Sequence, residues 1–157
     1  MREFKGSDSS EILEILSSIQ DAGDSYYFEN LSHHDLMSYW LKPNFKCFVC
    51  EIDGNIAGSY ILGANGCGRF SHTANASYIV SGKYRGLKIG KTLGEHSIEL
   101  AKKLEYQAMQ FNQVVSTNVV ALKLWKSLGF RIIGTIPLGF NHKTLGLVDS
   151  HIMYKSL

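Results

Sequence analysis

Residues Asn75 to Leu93 constrain this chain more than any other stretch. Ala76-Ser77-Tyr78-Ile79-Val80 is an apolar-leaning run that predicts a buried strand. Ser81-Gly82-Lys83-Tyr84 is a turn, and Arg85-Gly86-Leu87-Lys88-Ile89-Gly90-Lys91-Thr92 opens into a helical pattern. A strand, a basic glycine-bearing loop and a helix start, in that order, make an anion-binding device. The first N–H groups of a helix have no internal partner, and the helix dipole is positive at that end. Gly86 and Gly90 let a phosphate approach the main chain, while Arg85, Lys88 and Lys91 add charge. Spacing excludes two common phosphate loops. Glycines at 86, 90 and 94 do not give Gly-x-Gly-x-x-Gly, and the interval from Gly86 to Gly90 is one residue short of a P-loop.

The flanking pattern alternates strands and helices. Arg2 to Lys5 is a short first strand, and Ser7 to Ser10 supplies caps for a helix over Glu11–Ile19. The run from Asp21 to Asp24 breaks that helix, and the aromatic cluster Tyr26-Tyr27-Phe28 follows in a loop, either as core filler or as a pocket wall. Ser32 caps a helix over His33–Leu41 that Pro43 stops. Strands Phe45–Ile52 and Ile56–Leu62 join through Asp53-Gly54-Asn55, a hairpin signal. A glycine-rich loop over residues 63–69 leads to the strand His72–Val80 and a helix over Leu87–Leu104. Ala108–Val115 is the next strand, and Asn118 begins a helix that Gly129 ends. Phe130–Pro137 and Val148–Tyr154 close the sheet as a pair. The expectation is a single α/β domain over residues 1–157, with a mixed central sheet of about seven strands and helices on both faces.

Composition excludes several functions. Charged residues are 19% and the formal net charge is +2, so no strong field for nucleic acid or a membrane surface exists. No apolar run reaches the length of a membrane span, and the N-terminus has no signal-peptide pattern. Cys47 and Cys50 have CxxC spacing, but on a strand an offset of three points their side chains to opposite faces, which argues against a metal or redox pair. Cys47, Cys50 and Cys67 without partners suit a reducing cytoplasm.

A second motif gives the loop its context. Asn118-Val119-Val120-Ala121-Leu122-Lys123-Leu124-Trp125-Lys126-Ser127-Leu128-Gly129-Phe130 resembles the Asn-x-x-Ala-x-x-Leu-Tyr-x-x-x-Gly-Phe segment of GNAT acetyltransferases. The loop from Arg85 to Gly90 resembles that superfamily's motif A, Arg/Gln-x-x-Gly-x-Gly/Ala, with Lys88 where the middle glycine is usual. A generic amphipathic helix explains Leu124 and Gly129 but not Asn118, Ala121 and Phe130 at their spacing. The segments Ala108–Asn118, His72–Ala76, Pro137–His142 and Gly146–Asp149 further resemble a subgroup that includes fungal azetidine-2-carboxylate acetyltransferases and bacterial relatives.

The resemblance implies acetyl-CoA as co-substrate and no metal. It implies direct attack of an amine, in a ternary complex, on the thioester. Main-chain groups of Tyr78, Ile79 and Val80 would bind the pantetheine arm and acetyl carbonyl. Arg85, Gly86, Leu87, Lys88, Ile89, Gly90 and Lys91 would bind the pyrophosphate, and Asn118 the pantetheine amide. Trp125 stands where a tyrosine is common, and an indole offers only an N–H donor, with no proton to give a leaving thiolate. No Glu or Asp lies between Phe70 and Val80, so the base is either His72 or a water held by Asn75 and Asn112. Asn75 and Asn112 are expected to face the acetyl group from buried strands, with Tyr26, Tyr27 and Phe28 as a lid over a small amine, an amino acid or a proline-like imino acid. Two other readings stay open: an acyl-CoA-binding module without turnover, and an acetyltransferase acting on protein lysines or N-termini. A homodimer is the one assembly left open.

Overall fold

The computed structural model describes residues Met1–Leu157. The chain runs β1 (Arg2–Glu3), α1 (Ser9–Ala22), α2 (His33–Trp40), β2 (Lys46–Ile52), β3 (Asn55–Ala64) and β4 (Thr73–Val80). It continues with α3 (Ile89–Lys103), β5 (Ala108–Val115), α4 (Val119–Ser127), β6 (Arg131–His142) and β7 (Gly146–Ser156). The strands form one seven-stranded sheet in the order β1-β2-β3-β4-β5-β7-β6. Every neighbouring pair is antiparallel except β4 and β5, which run parallel. This is the mixed, doubly covered α/β sheet that the sequence pattern predicts.

Strand alternation builds two cores, one on each face. On one face Ile12 and Leu16 of α1 and Leu36 and Trp40 of α2 pack on Val49, Ile61 and Ile79. On the other, Leu93 and Ile98 of α3 and Trp125 of α4 pack on Tyr60, Leu62, Met109 and Phe111. Cys47 packs with the first cluster and Cys50 belongs to the second, so the CxxC pair is split across the sheet as expected. No helix is long and apolar enough to cross a membrane.

Several boundaries differ from the sequence reading, each for a local reason. β3 continues through Gly63 and Ala64, because the missing side chain of Gly63 makes room for the Phe45 ring, which a Cβ at that position would meet at 2.7 Å. α3 starts at Ile89 rather than Leu87, because Gly86 (φ 84°) and Lys88 (φ 59°) turn the chain left-handed just before it. The last hairpin is longer than expected and runs through Pro137. β6 is an edge strand, and its register shifts between Ile136 and Phe140, so the proline removes no ladder bond.

The tip of that hairpin reaches back to α1. The Lys143 N–H donates to the Gly23 carbonyl at 3.0 Å, and Lys143 Nζ donates to the Asp21 carbonyl. An ammonium there meets the negative end of the helix dipole. Gly23 is left-handed (φ 60°), and a Cβ on it would lie 2.8 Å from the Lys143 Cβ. The residue that ends α1 therefore also lets the hairpin dock.

Candidate active site

The parallel pair opens the site. β4 and β5 are paired only at Thr73–Ala108 and Ala74–Met109, and then the strands separate. The Asn75 side-chain amide crosses the apex of this wedge and donates to the Gln110 carbonyl at 2.9 Å. Further along, the Ser81 N–H donates to the Ala57 carbonyl on the β3 side. Alternation therefore turns the main-chain groups of Ile79 to β3 and those of Tyr78 and Val80 into the wedge.

Tyr78 is already occupied. Its N–H donates to the Tyr26 hydroxyl at 2.9 Å, and that hydroxyl donates to the Tyr78 carbonyl at 2.8 Å. One oxygen replaces both bonds that β5 would have supplied. Burial pushes the Tyr26 phenol well above its ordinary pKa, so it keeps its proton. Of the expected Tyr78–Val80 contacts, only Val80 keeps main-chain groups that face the wedge without a side-chain partner.

A cavity of about 1320 Å³ runs from this wedge to the basic loop, lined there by Lys83, Arg85, Gly86, Lys88, Gly90 and Lys91. Gly86 takes its positive φ with nothing near its missing side chain, so glycine is required there by conformation alone. Lys88 takes the left-handed conformation that the usual glycine would adopt, so the loop shape survives the departure from the motif. The N–H groups of Lys91 and Thr92 both return to the Lys88 carbonyl, leaving those of Ile89 and Gly90 at the open mouth of α3. Lys91 pairs with Glu95 at 3.7 Å. The Leu87 side chain does not line the cavity and is 60% exposed, so its expected contact is limited to main chain.

α4 forms the far wall. Asn118 Oδ1 accepts the Ala121 N–H at 3.1 Å as the N-cap, which leaves only its amide N–H₂ for a ligand. Trp125 is buried, and its ring packs 4.6 Å from Tyr78 and 4.8 Å from Phe111, centroid to centroid. A Cβ on Gly94 would meet Leu128 at 2.6 Å and Trp125 at 3.1 Å, so that glycine sets the approach of α3 to α4. The Tyr78 hydroxyl turns away to Ser97, at 2.7 Å, and Ser97 donates onward to the Gly94 carbonyl.

The remaining expectations need correction. His72 is exposed, bonds the Arg69 carbonyl and does not line the cavity; it precedes β4, at the end opposite the open wedge. Asn112 is exposed rather than buried, and its amide sits in a side-chain ladder with Asn65 and Gln110. Its polarity marks the bulge between Phe111 and Val114, where β5 lifts off β7. Asn75 holds the wedge open and does not face into the cavity. Phe28 is core, Tyr27 is 62% exposed, and Tyr26 alone of the three lines the cavity. Pinned to Tyr78, that loop is a wall rather than a free lid.

Ionisable groups that sequence reasoning passed over line the other end: Glu11 and Glu14 of α1, Asp24, and His142 of β6. Glu11 accepts the Ile56 N–H at 2.8 Å, while His142 Nδ1 accepts the Thr144 N–H at 3.2 Å. A neutral imidazole held in that way carries its proton on Nε2. Helical spacing places Glu11 and Glu14 on one face, but only the docked hairpin brings His142 to line the same cavity.

A splayed parallel pair beside a basic loop at a helix mouth makes a long cleft whose positively charged end suits a phosphate-bearing ligand. Comparison with known proteins gives the chain its family. The profile described as Acetyltransferase (GNAT) family matches residues 11–130, and the chain belongs to that family. A GCN5-related N-acetyltransferase from Kribbella flavida superposes with a TM-score of 0.94 at 37% identity, covering 99% of this chain and 96% of the other. The chain is 30% identical over 111 residues to N-acetyltransferase aca1 of Schizosaccharomyces pombe, covering 70% of this chain and 53% of the relative. It is 34% identical over 101 residues to N-acetylaspartate synthetase of Mus musculus, covering 64% of this chain and 33% of the relative. The matched region thus spans about half the length of the first relative and a third of the second.

Proposed function

We propose that residues 1–157 form one acetyltransferase domain that moves an acetyl group from acetyl-CoA to the amine of a small molecule by direct attack. The observation that carries this reading is the separation of β4 from β5 beyond Ala74–Met109, opening toward the basic loop at the mouth of α3. The pyrophosphate would lie on the N–H groups of Gly86 to Gly90 among Arg85, Lys88 and Lys91. The pantetheine arm would run along the Val80 main chain toward the Asn118 amide. The acceptor enters from the side of Glu14, Asp24 and His142, which are the groups available to take its proton, directly or through water. The amine nitrogen bonds the acyl carbon, the C–S bond breaks with its electron pair on sulfur, and water protonates the thiolate. Trp125 packs against the reacting end without supplying a proton. The acceptor is read as an amino acid or proline-like imino acid, the class implied by the resemblance of His72–Ala76 and Ala108–Asn118 to the azetidine-2-carboxylate acetyltransferases. Cytoplasmic residence suits the three free thiols. Exposed Ile133, Ile136 and Leu138 on edge strand β6 support a homodimer, which the solution mass by light scattering checks.

Thiol release from acetyl-CoA over a panel of amino acids, imino acids and amines tests the reading, with lysate-protein acetylation followed by mass spectrometry alongside. Turnover on a small amine supports it; acetylation of proteins alone replaces the acceptor class. A second reading rests on Trp125, which occupies the position of a proton-donating tyrosine: an acyl-CoA-binding module. Binding without turnover on any amine or protein selects it.

A further inference from the structure

The cavity has a definite inner end. Its lining takes Tyr78, Ile79 and Val80 from β4 but nothing earlier on that strand and nothing from β5. The wedge itself continues back to Asn75 and Gln110, so something fills it. From the α3–α4 face the filling is aromatic: Tyr78, Phe111 and Trp125 pack within 5.8 Å of one another, centroid to centroid. From the α1–α2 face it is the phenol of Tyr26, whose hydroxyl holds both main-chain groups of Tyr78.

Resting on the acyl-CoA reading above, we propose that Tyr26 sets the acyl-length limit of the cleft: its phenol stops the wedge at Tyr78, so that acetyl fits and longer acyl chains do not. The thioester end comes to Val80, two residues before the stop on the same strand edge. Behind Tyr26 the surroundings are apolar. Its ring stacks on Phe28 with centroids 4.9 Å apart, and it packs with the cluster that holds Ile79 and Tyr39. Removing the phenol opens a slot of ring size, lined by those apolar side chains and edged by the freed N–H and C=O of Tyr78, into which an acyl chain can extend. Each acyl methylene that enters it gains roughly fourfold in affinity. The proton that the phenol retains keeps it an uncharged wall throughout the neutral range.

The test is calorimetric titration of acetyl-, propionyl- and butyryl-CoA into the wild type, Tyr26→Phe and Tyr26→Ala, which needs no acceptor amine. Wild type and Tyr26→Phe are expected to favour acetyl-CoA over butyryl-CoA by tenfold or more. In Tyr26→Ala that preference is expected to shrink at least tenfold or to reverse. Tyr26→Leu serves as the short-side-chain variant if the alanine form does not fold, with the same shift expected. An unchanged preference in a folded short-side-chain variant overturns the proposal, as does a shift in Tyr26→Phe equal to that in Tyr26→Ala. A wild type that binds none of the three removes the acyl-CoA reading itself, whereas one that binds acetyl-CoA with an unshifted Tyr26→Ala preference removes only the role of Tyr26.

Discussion

Asn75 Nδ2 and the Gln110 carbonyl, 2.9 Å apart, join β4 to β5 one residue past the last backbone pairing, Ala74 with Met109. A side chain thus takes over where the ladder stops, holding the strands at a separation that a backbone bond would close. Asn75→Ala leaves the Gln110 carbonyl without that donor and costs about 1–2 kcal/mol. The melting temperature is expected to fall by roughly 3–6 °C, together with acetyl-CoA affinity, because the apex of the wedge loosens. Asn112→Ala, at an exposed site in a side-chain ladder, is expected to stay within about 0.5 kcal/mol of wild type with unchanged turnover. Thermal melts beside steady-state kinetics on both variants check this. Loss of turnover in Asn112→Ala at wild-type stability would return that residue to the active site.

Lys88 carries a left-handed backbone that glycine adopts without strain. Lys88→Gly is therefore expected to keep the loop shape, with stability equal to wild type or higher by up to about 1 kcal/mol. Acetyl-CoA affinity should fall only severalfold, through loss of one charge. Lys88→Val, β-branched at a positive φ, is expected to lower both stability and affinity. Melting and titration of the two variants decide it: a Lys88→Gly protein that no longer binds would mean that the ammonium, not the loop shape, carries recognition.

Asp8 tests electrostatics away from the cleft. Its buried carboxylate takes two bonds from the Arg2 guanidinium, at 2.7 and 2.9 Å, and one from the Lys5 N–H at 2.8 Å. The Arg2 pairing, above all, holds its pKa below the ordinary carboxylate value, against the opposing effect of burial. A carboxylate that ionises more readily when folded contributes its full stability above about pH 4 and loses it as pH falls through the lower, folded value. Asp8→Asn should melt roughly 4 °C or more below wild type at pH 7, with the gap closing as both proteins are taken below pH 4. A gap that stays constant down to pH 2 would show that shape, not charge, matters at this position.

The fold was legible because its signals are local. Periodicity marked each strand and helix, Gly129 ended α4, and the residues of the motifs around Arg85 and Asn118 line one cavity. The loop conformation at Lys88 was hidden, since a lysine gives no sign of a positive φ. The site was less legible where it depends on long-range packing. Tyr26 meets Tyr78 across 52 residues, and Lys143 meets Asp21 across 122, and neither contact has a local pattern. His72 and Asn112 misled for different reasons. His72 drew attention because the strand lacks a carboxylate, but it stands at the strand's exposed start; Asn112 suggested a buried polar site in an apolar strand, but it marks an exposed bulge.

Whether the coenzyme occupies the cleft between β4 and the mouth of α3 is decided by calorimetric titration of acetyl-CoA into wild type, Lys91→Ala and Gly90→Asp. Gly90 sits at the mouth of α3, where a carboxylate opposes the helix dipole and repels phosphate. A Cβ there already meets Leu124 at 3.1 Å, so the aspartate has little room to withdraw toward α4, and a melt confirms that the variant folds. Wild type is expected to bind one acetyl-CoA per chain. Lys91→Ala, which removes an ammonium shared with Glu95, is expected to lose severalfold in affinity, and folded Gly90→Asp a hundredfold or more. Wild-type affinity in a folded Gly90→Asp protein would contradict this placement, because the coenzyme would then lie somewhere other than that cleft.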